Sequence, residues 1–327
     1  MLKTRTIYVG EVSIKSFFSK SKLLSGKIMN ILIYCIHLIT SLLIAVIGIP
    51  GNLTILYFFL IKCWKRINSY YLFIIYLAFS DLMVCITRFV QISILYFASE
   101  SQIATLLCEN TWFFATIISN TSIWILTGLS YDRYRKITKP LAKQLPRWCI
   151  HMACITPALI GYWIMYPYSQ SMEWIPSLKG CDQVLEVPPR ISVPAFTLHA
   201  ILLCTLPISI NIYTNYRITK HLDSEAGNTA QIQESKIFER NKRAASTLKS
   251  LTIIASITVF IPNVLLTILY GAYLMSKSHD VIPNEFFSGL SNLMYFNSTI
   301  NAFVYWFRIK EFRSFYAKKA RTFCCRK

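Results

Sequence analysis

Seven stretches of this chain are long and apolar enough to cross a lipid bilayer, and that pattern restricts the fold more than any other feature. They run over about 29–61, 70–97, 108–131, 149–168, 192–216, 246–275 and 285–307. A spanning helix takes roughly 20 apolar residues, and hydrocarbon offers no water to an unsatisfied backbone, so the segments must be helices or a closed barrel. They are too long for barrel strands and lack the period-2 alternation of one. Only 15% of the 327 residues are charged, against about a quarter in a soluble chain. Aromatic residues at span ends (Trp64, Tyr70, Tyr71, Tyr96, Tyr166, Tyr168) fit an interfacial belt. The expectation is an all-α membrane protein, a seven-transmembrane helix bundle over 29–307, with a short amphipathic helix and basic tail over 308–327.

Charge orients the bundle. Lys62, Lys65 and Arg66 follow span one, six basic residues lie in 132–147, seven in 217–249 and eight from Arg308 onward. The intervening loops are mildly acidic (Glu100, Glu109, Glu173, Glu285). By the positive-inside rule the C-terminus is cytoplasmic and the N-terminus outside. The net charge of +19 therefore calls for no nucleic acid. Residues 1–28 disagree, with six basic residues and only Glu11 on the outer side. We expect this segment to be a gene-model extension, with translation from Met29; N-terminal sequencing that recovers 1–28 would refute that. The Asn-x-Ser/Thr triplets at Asn52, Asn120 and Asn297 fall within spans and are not expected to carry glycans. Of ten cysteines, Cys108 and Cys181 face the oxidising side and are expected to form a disulfide.

At the end of the third span stands Asp132-Arg133-Tyr134, followed by Ile137 and Pro140-Leu141. An acid–base pair at a membrane boundary is costly unless each charge has a partner or a task. Further motifs fall in order along the chain: Gly48-Ile-Pro-Gly51-Asn52, Leu77-Ala78-Phe79-Ser80-Asp81, Pro207, Pro262, and Asn297-Ser298-Thr299-Ile300-Asn301-Ala302-Phe303-Val304-Tyr305. Over about 40–325 this set resembles the rhodopsin-like (class A) G-protein-coupled receptors.

The resemblance implies a switch. Arg133, resting against Asp132 in the inactive state, would swing toward a heterotrimeric G protein as span six moves out. Tyr134, Asn301, Tyr305, Pro262 and Phe260 would be parts of the same switch. Leu141 resembles the apolar residue that family members insert into a G-protein pocket; the alternative is an ordinary surface leucine. Asp81, Asn52, Ser122, Asn297, Ser298 and Asn301 match positions that hold an allosteric sodium ion in related receptors, and oxygen ligands around a carboxylate suit a hard cation. A water-filled polar network is the alternative. No other cofactor is expected. The chain departs from the family in having Phe260 for the toggle tryptophan, Ala302 for proline, Asn215 for a bracing tyrosine and Lys242 for a braking glutamate.

Ala115 stands where aminergic receptors carry a ligand-pairing aspartate, and Tyr295 where opsins carry the retinal lysine, which disfavours amine and retinal ligands. Arg88 lies seven residues after Asp81, on the same face of span two and about 10 Å away at 1.5 Å per residue. It would pair with an anionic ligand group such as a peptide carboxylate, or else with Glu109, or snorkel outward. Gln91, Trp112, Thr116, Ser119, His199, Asn263, Thr267, Ser291 and Tyr295 are pocket candidates by resemblance. After span seven, Phe307, Ile309, Phe312, Phe315, Tyr316 and Phe323 recur among basic residues as in a helix lying on anionic membrane lipid. Cys324 and Cys325 are palmitoylation candidates, or free thiols.

The reading is a plasma-membrane receptor, not an enzyme, that passes an extracellular ligand signal to a heterotrimeric G protein. The alternatives are a non-coupling binding or scavenging receptor of the same fold and, more distantly, a transporter or channel.

Overall fold

In a computed structural model, the residues described are 35, 38–62, 68–97, 102–141, 143–169, 172–175, 180–183, 194–195, 197–228, 234–276 and 284–324. Helices α1 (Leu38–Ile61), α2 (Ser69–Phe97), α3 (Gln102–Thr138) and α4 (Arg147–Ser169) come first. A two-stranded antiparallel hairpin, β1 (Met172–Ile175) with β2 (Gly180–Gln183), precedes α5, whose apolar span is Thr197–Ser224. Helix α6 (234–276), α7 (Asn284–Arg308) and α8 (Lys310–Cys324) complete the chain. Among the described residues six helices are long and apolar enough to cross a membrane. The seventh of the bundle, α7, carries buried Asn292, Asn297, Ser298, Thr299 and Asn301 within its apolar run.

Three helices outrun their apolar segments. α3 continues to Thr138, α5 is helical to Asn228, and α6 begins at Glu234. A helix leaving hydrocarbon loses its need for apolar side chains but keeps its backbone ladder. Ile137 (5% exposed), Ile218 and Leu222 then pack with Ala245 to hold these extensions together. Asp132, Arg133 and Tyr134 therefore sit inside a helix, six residues before its end for Asp132.

α3 is the hub, touching α2, α4, α5, α6, α7 and the hairpin. One cluster of buried apolar side chains gathers where Ile55, Phe59, Phe73, Leu77, Leu129 and Tyr305 meet. Phe312 of α8 is buried in this cluster, edge-on to Phe58 at 5.3 Å and to Trp306 at 5.5 Å. Tyr316 donates to the Thr54 carbonyl at 2.8 Å, so α8 is pinned to α1.

Without a hydrophobic drive between helices in lipid, close approach depends on small residues. A methyl on Gly128 of α3 would lie 2.5 Å from Cε1 of Phe73 of α2. A methyl on Gly51 would lie 2.8 Å from Cβ of Ala302 of α7. Large apolar side chains such as Phe79, Trp163 and Ile268 instead face outward, as hydrocarbon solvent permits.

Both prolines singled out in the sequence are preceded by a wide π-helical turn, Ala200–Thr205 before Pro207 and Ser256–Phe260 before Pro262. In α5 the Leu206 N–H donates five residues back to Ile201. By the same register the Leu202 carbonyl faces Pro207, which has no N–H to give. Trp124 of α3 fills the gap, its indole N–H donating to Leu202 O at 3.1 Å. The Pro207 carbonyl accepts from Thr127 at 3.1 Å. Side chains of α3 thus secure the wide turn in α5.

Candidate functional site

Asp81 lies on the inward face of α2, the face that Leu77, Val84 and Cys85 share one turn to either side. It is fully buried. Ser122 of α3 donates to one carboxylate oxygen at 3.1 Å and Asn301 of α7 to the other at 2.8 Å. The Ser122 hydroxyl also lies 2.9 Å from that of Ser80. Asn52 of α1 donates to the Ser298 carbonyl at 3.0 Å, so four helices are joined through polar side chains. The side-chain oxygen of Asn52 is buried without a hydrogen-bond partner, and the buried Ser298 hydroxyl lies toward the Asp81 carboxylate. Buried oxygens near a carboxylate are a donor set that fits a hard cation. Asn297, grouped with this set in the sequence, turns elsewhere: its Oδ1 accepts from Thr258 of α6 at 3.2 Å.

At the far end of α3, Asp132 is buried and accepts from Ser69 of α2 at 2.7 Å and from Lys136 at 2.9 Å. The resemblance had implied Arg133 as its partner. One helical turn brings Lys136 onto the same face as Asp132, whereas the next residue points about 100° away. The Arg133 guanidinium lies over the Tyr70 ring, 3.5 Å from its centroid. Tyr305 is buried nearby among α2 and α7 side chains, its hydroxyl without a hydrogen bond. Asn215 of α5 donates to Thr252 of α6 at 2.8 Å, a link that the departure from the family's tyrosine creates. Leu141 is 99% exposed, Tyr134 packs with Ile137 and Ile218, and Lys242 is exposed. Phe260 packs beside Val259, Ile123 and Met294, with Pro262 opening the next helical stretch.

Toward the other end, Arg88 is 7% exposed. It donates to Ser41 of α1 at 2.9 and 3.1 Å, to Gln91 at 2.8 Å and to Asn292 of α7 at 2.5 Å. Its guanidinium carbon is 5.2 Å from the Tyr295 ring centroid. Tyr295 in turn meets Thr116 and Gln91. The structure therefore brings Arg88, Gln91, Thr116 and Tyr295 together. It adds Ser41 and Asn292, which motif matching missed although each is a polar residue in an apolar run.

Other pocket candidates are dispersed. His199 is buried between α3 and α5, its Nε2 2.9 Å from the Asn120 amide, whose oxygen accepts from Cys204 at 3.0 Å. Asn263 bonds the Val259 carbonyl and lies 3.6 Å from the Met294 sulfur. Thr267 donates to the Asn263 carbonyl at 2.8 Å. Ser119 is buried with an unbonded hydroxyl, and Ser291 is half-buried. Cys181 lies in β2, opposite Trp174, and the hairpin rests on α3, the helix that contains Cys108. The side chains of Cys108, Cys181, Trp112 and Cys324, all of Cys325 and the whole of 1–28 lie outside the described residues. Asn52, Asn120 and Asn297 are buried in helices, where no glycosyltransferase reaches them.

Comparison with known proteins agrees with this architecture. The chain is 27% identical over 320 residues to bombesin receptor subtype-3 of Ovis aries, covering 89% of this chain and 76% of that one. It is 24% identical to rhodopsin of Faxonius virilis, covering 67% of this chain and 74% of that one. Over 162 residues it is 30% identical to the neuropeptide CCHamide-1 receptor of Drosophila melanogaster, covering 40% and 32%. The model of the seven-transmembrane receptor (rhodopsin) family matches residues 51–305, and the chain belongs to that family.

Proposed function

We propose that this chain is a plasma-membrane receptor that transmits the binding of an extracellular ligand to a heterotrimeric G protein, with its N-terminus outside and its C-terminus in the cytoplasm. The observation that carries the reading is the polar chain from Asp81 through Ser122 and Asn301, which couples α2, α3 and α7 between the Arg88 cluster and Arg133. A ligand that favours one arrangement of these helices shifts a pre-existing equilibrium, by as much as its preference for that state. Arg88, Gln91, Tyr295 and Asn292 supply a cationic, hydrogen-bonding floor suited to a carboxylate-bearing peptide. Two of the relatives are named for peptides, in keeping with that class. Tyr295 in place of the retinal lysine disfavours the opsin alternative.

Asp81, Ser122, Asn301, Asn52 and Ser298 would hold sodium, which would supply a positive charge that stabilises the arrangement gathered around the carboxylate. α8 would lie along the inner leaflet, with Cys324 and Cys325 available to palmitate. A non-coupling binding receptor remains the second reading, favoured by Phe260, Ala302 and Asn215.

The test is nucleotide exchange on G proteins in membranes containing the chain, beside an Arg133→Ala control, with a screen of acidic peptides. Peptide-stimulated or basal exchange that vanishes with Arg133→Ala supports the reading. Peptide-driven internalisation without exchange by any G-protein class supports the binding receptor instead.

A further inference from the structure

Between the end of α7, the start of α8 and the adjoining part of α6 lies a cleft of about 420 Å³. That is within the ~300–1,000 Å³ that small-molecule sites occupy. Among the described residues its charged lining is Lys242, Arg243, Arg308, Lys310 and Arg313, against a single carboxylate, Glu239. None of the five cations forms an ion pair among the described residues. Arg308 spans the cleft, donating from its two terminal nitrogens to Ser246 and Ser250 of α6, each at 3.2 Å. Both acceptors are neutral hydroxyls, so the guanidinium charge remains uncompensated by them. The motifs of the receptor switch use none of these residues except Lys242, where the family's braking glutamate is absent.

We infer that this cleft binds the headgroup of a membrane phospholipid bearing phosphate monoester groups, with Lys242, Arg243, Arg308, Lys310 and Arg313 as its cationic ligands. Five cations facing one acid demand more negative charge than a single phosphodiester brings, and arginine forks match phosphate oxygens two at a time. The lipid source follows from the wall. Phe307 lines the cleft and is 65% exposed, and with Phe303 (44%) and Trp306 (41%) it forms one apolar face of α7. Acyl chains run down that face while the headgroup sits among the cations. The bound headgroup competes with Ser246 and Ser250 for Arg308, so occupancy bears on how closely α7 holds α6. The inference rests on the cytoplasmic placement of this end, proposed above; a lipid nanodisc presents both leaflets, so its test does not depend on orientation.

The experiment measures binding of fluorescent phosphatidylinositol 4,5-bisphosphate to the full chain in phosphatidylcholine nanodiscs. Phosphatidylserine at equal total charge and soluble inositol trisphosphate serve as competitors. Specific binding should resist phosphatidylserine and exceed that of the soluble headgroup. The triple variant Lys242→Ala, Arg243→Ala, Arg313→Ala should lose on the order of a hundredfold in affinity, at about the worth of one surface cation each. Glu239→Gln should bind more tightly than the parent, a gain that misfolding cannot mimic. Equal displacement by phosphatidylserine, equal binding of the soluble headgroup, or full affinity in a folded triple variant would overturn the inference.

Discussion

The Arg133 guanidinium rests 3.5 Å from the centroid of the Tyr70 ring, while its neighbour Asp132 is held by Lys136 at 2.9 Å. The arginine on which signalling is proposed to turn thus leans on an aromatic face of α2. Cation–π contacts contribute about 0.5–2 kcal/mol, the upper end where water is excluded. Tyr70→Leu should therefore raise basal nucleotide exchange by roughly two- to thirtyfold, the factor that this energy implies. Unchanged basal exchange at equal surface expression would remove Tyr70 from the account.

Asn301, like Ser122, hydrogen-bonds the buried Asp81 carboxylate. Asn301→Ala leaves a buried oxygen unsatisfied, at a cost of about 1–3 kcal/mol. The detergent-solubilised variant should melt at lower temperature than the parent. Adding Asp81→Asn should recover part of the loss, since it removes the charge that needed the donor. A double variant no more stable than Asn301→Ala alone would contradict this.

Sodium binding is directly testable. Melting of the purified chain in sodium chloride should occur above that in equimolar potassium chloride, by the linkage between binding and stability. In Asp81→Asn the two salts should give the same curve. A sodium effect that persists in Asp81→Asn would place the ion elsewhere.

Gly128 is set by contact with Phe73. A Cβ there would meet Cε1 at 2.5 Å and Cζ at 2.9 Å, closer than van der Waals packing allows. Overpacking a well-filled core costs about 1–3 kcal/mol, so Gly128→Ala should lower the melting temperature, and Phe73→Leu in the same chain should restore part of it. Gly161→Ala is the matched control, because its nearest neighbour is a Leu203 methyl at 3.2 Å that can give way. Equal destabilisation by the two alanines would show that helix approach at Gly128 does not depend on its missing side chain.

The helices and their order were legible because each needs only local information: a long apolar run, and basic residues to end it. The residues proposed to form the switch were legible only through their resemblance to the family's motifs, although the cost of Asp81, Asp132 and Asn301 in apolar surroundings marks them as needing partners. Their partners were less so. The resemblance pairs Arg133 with Asp132, but helical geometry puts Lys136 on that side. Asn297 was assigned to Asp81 by position, yet its side chain turns to Thr258 on α6.

Sequence alone therefore determined that this is a seven-span helical bundle with Asp81, Arg88 and Arg133 placed along its interior, because hydropathy and helical period act within one segment. Only tertiary structure decided which polar groups those residues meet: Ser41 lies 47 residues from Arg88, Asn292 lies 204 away, and Trp124 meets the Leu202 carbonyl from a separate helix. In hydrocarbon a polar side chain takes the nearest partner that packing presents. The rotation and approach of whole helices, permitted at Gly51 and Gly128, decide which partner that is.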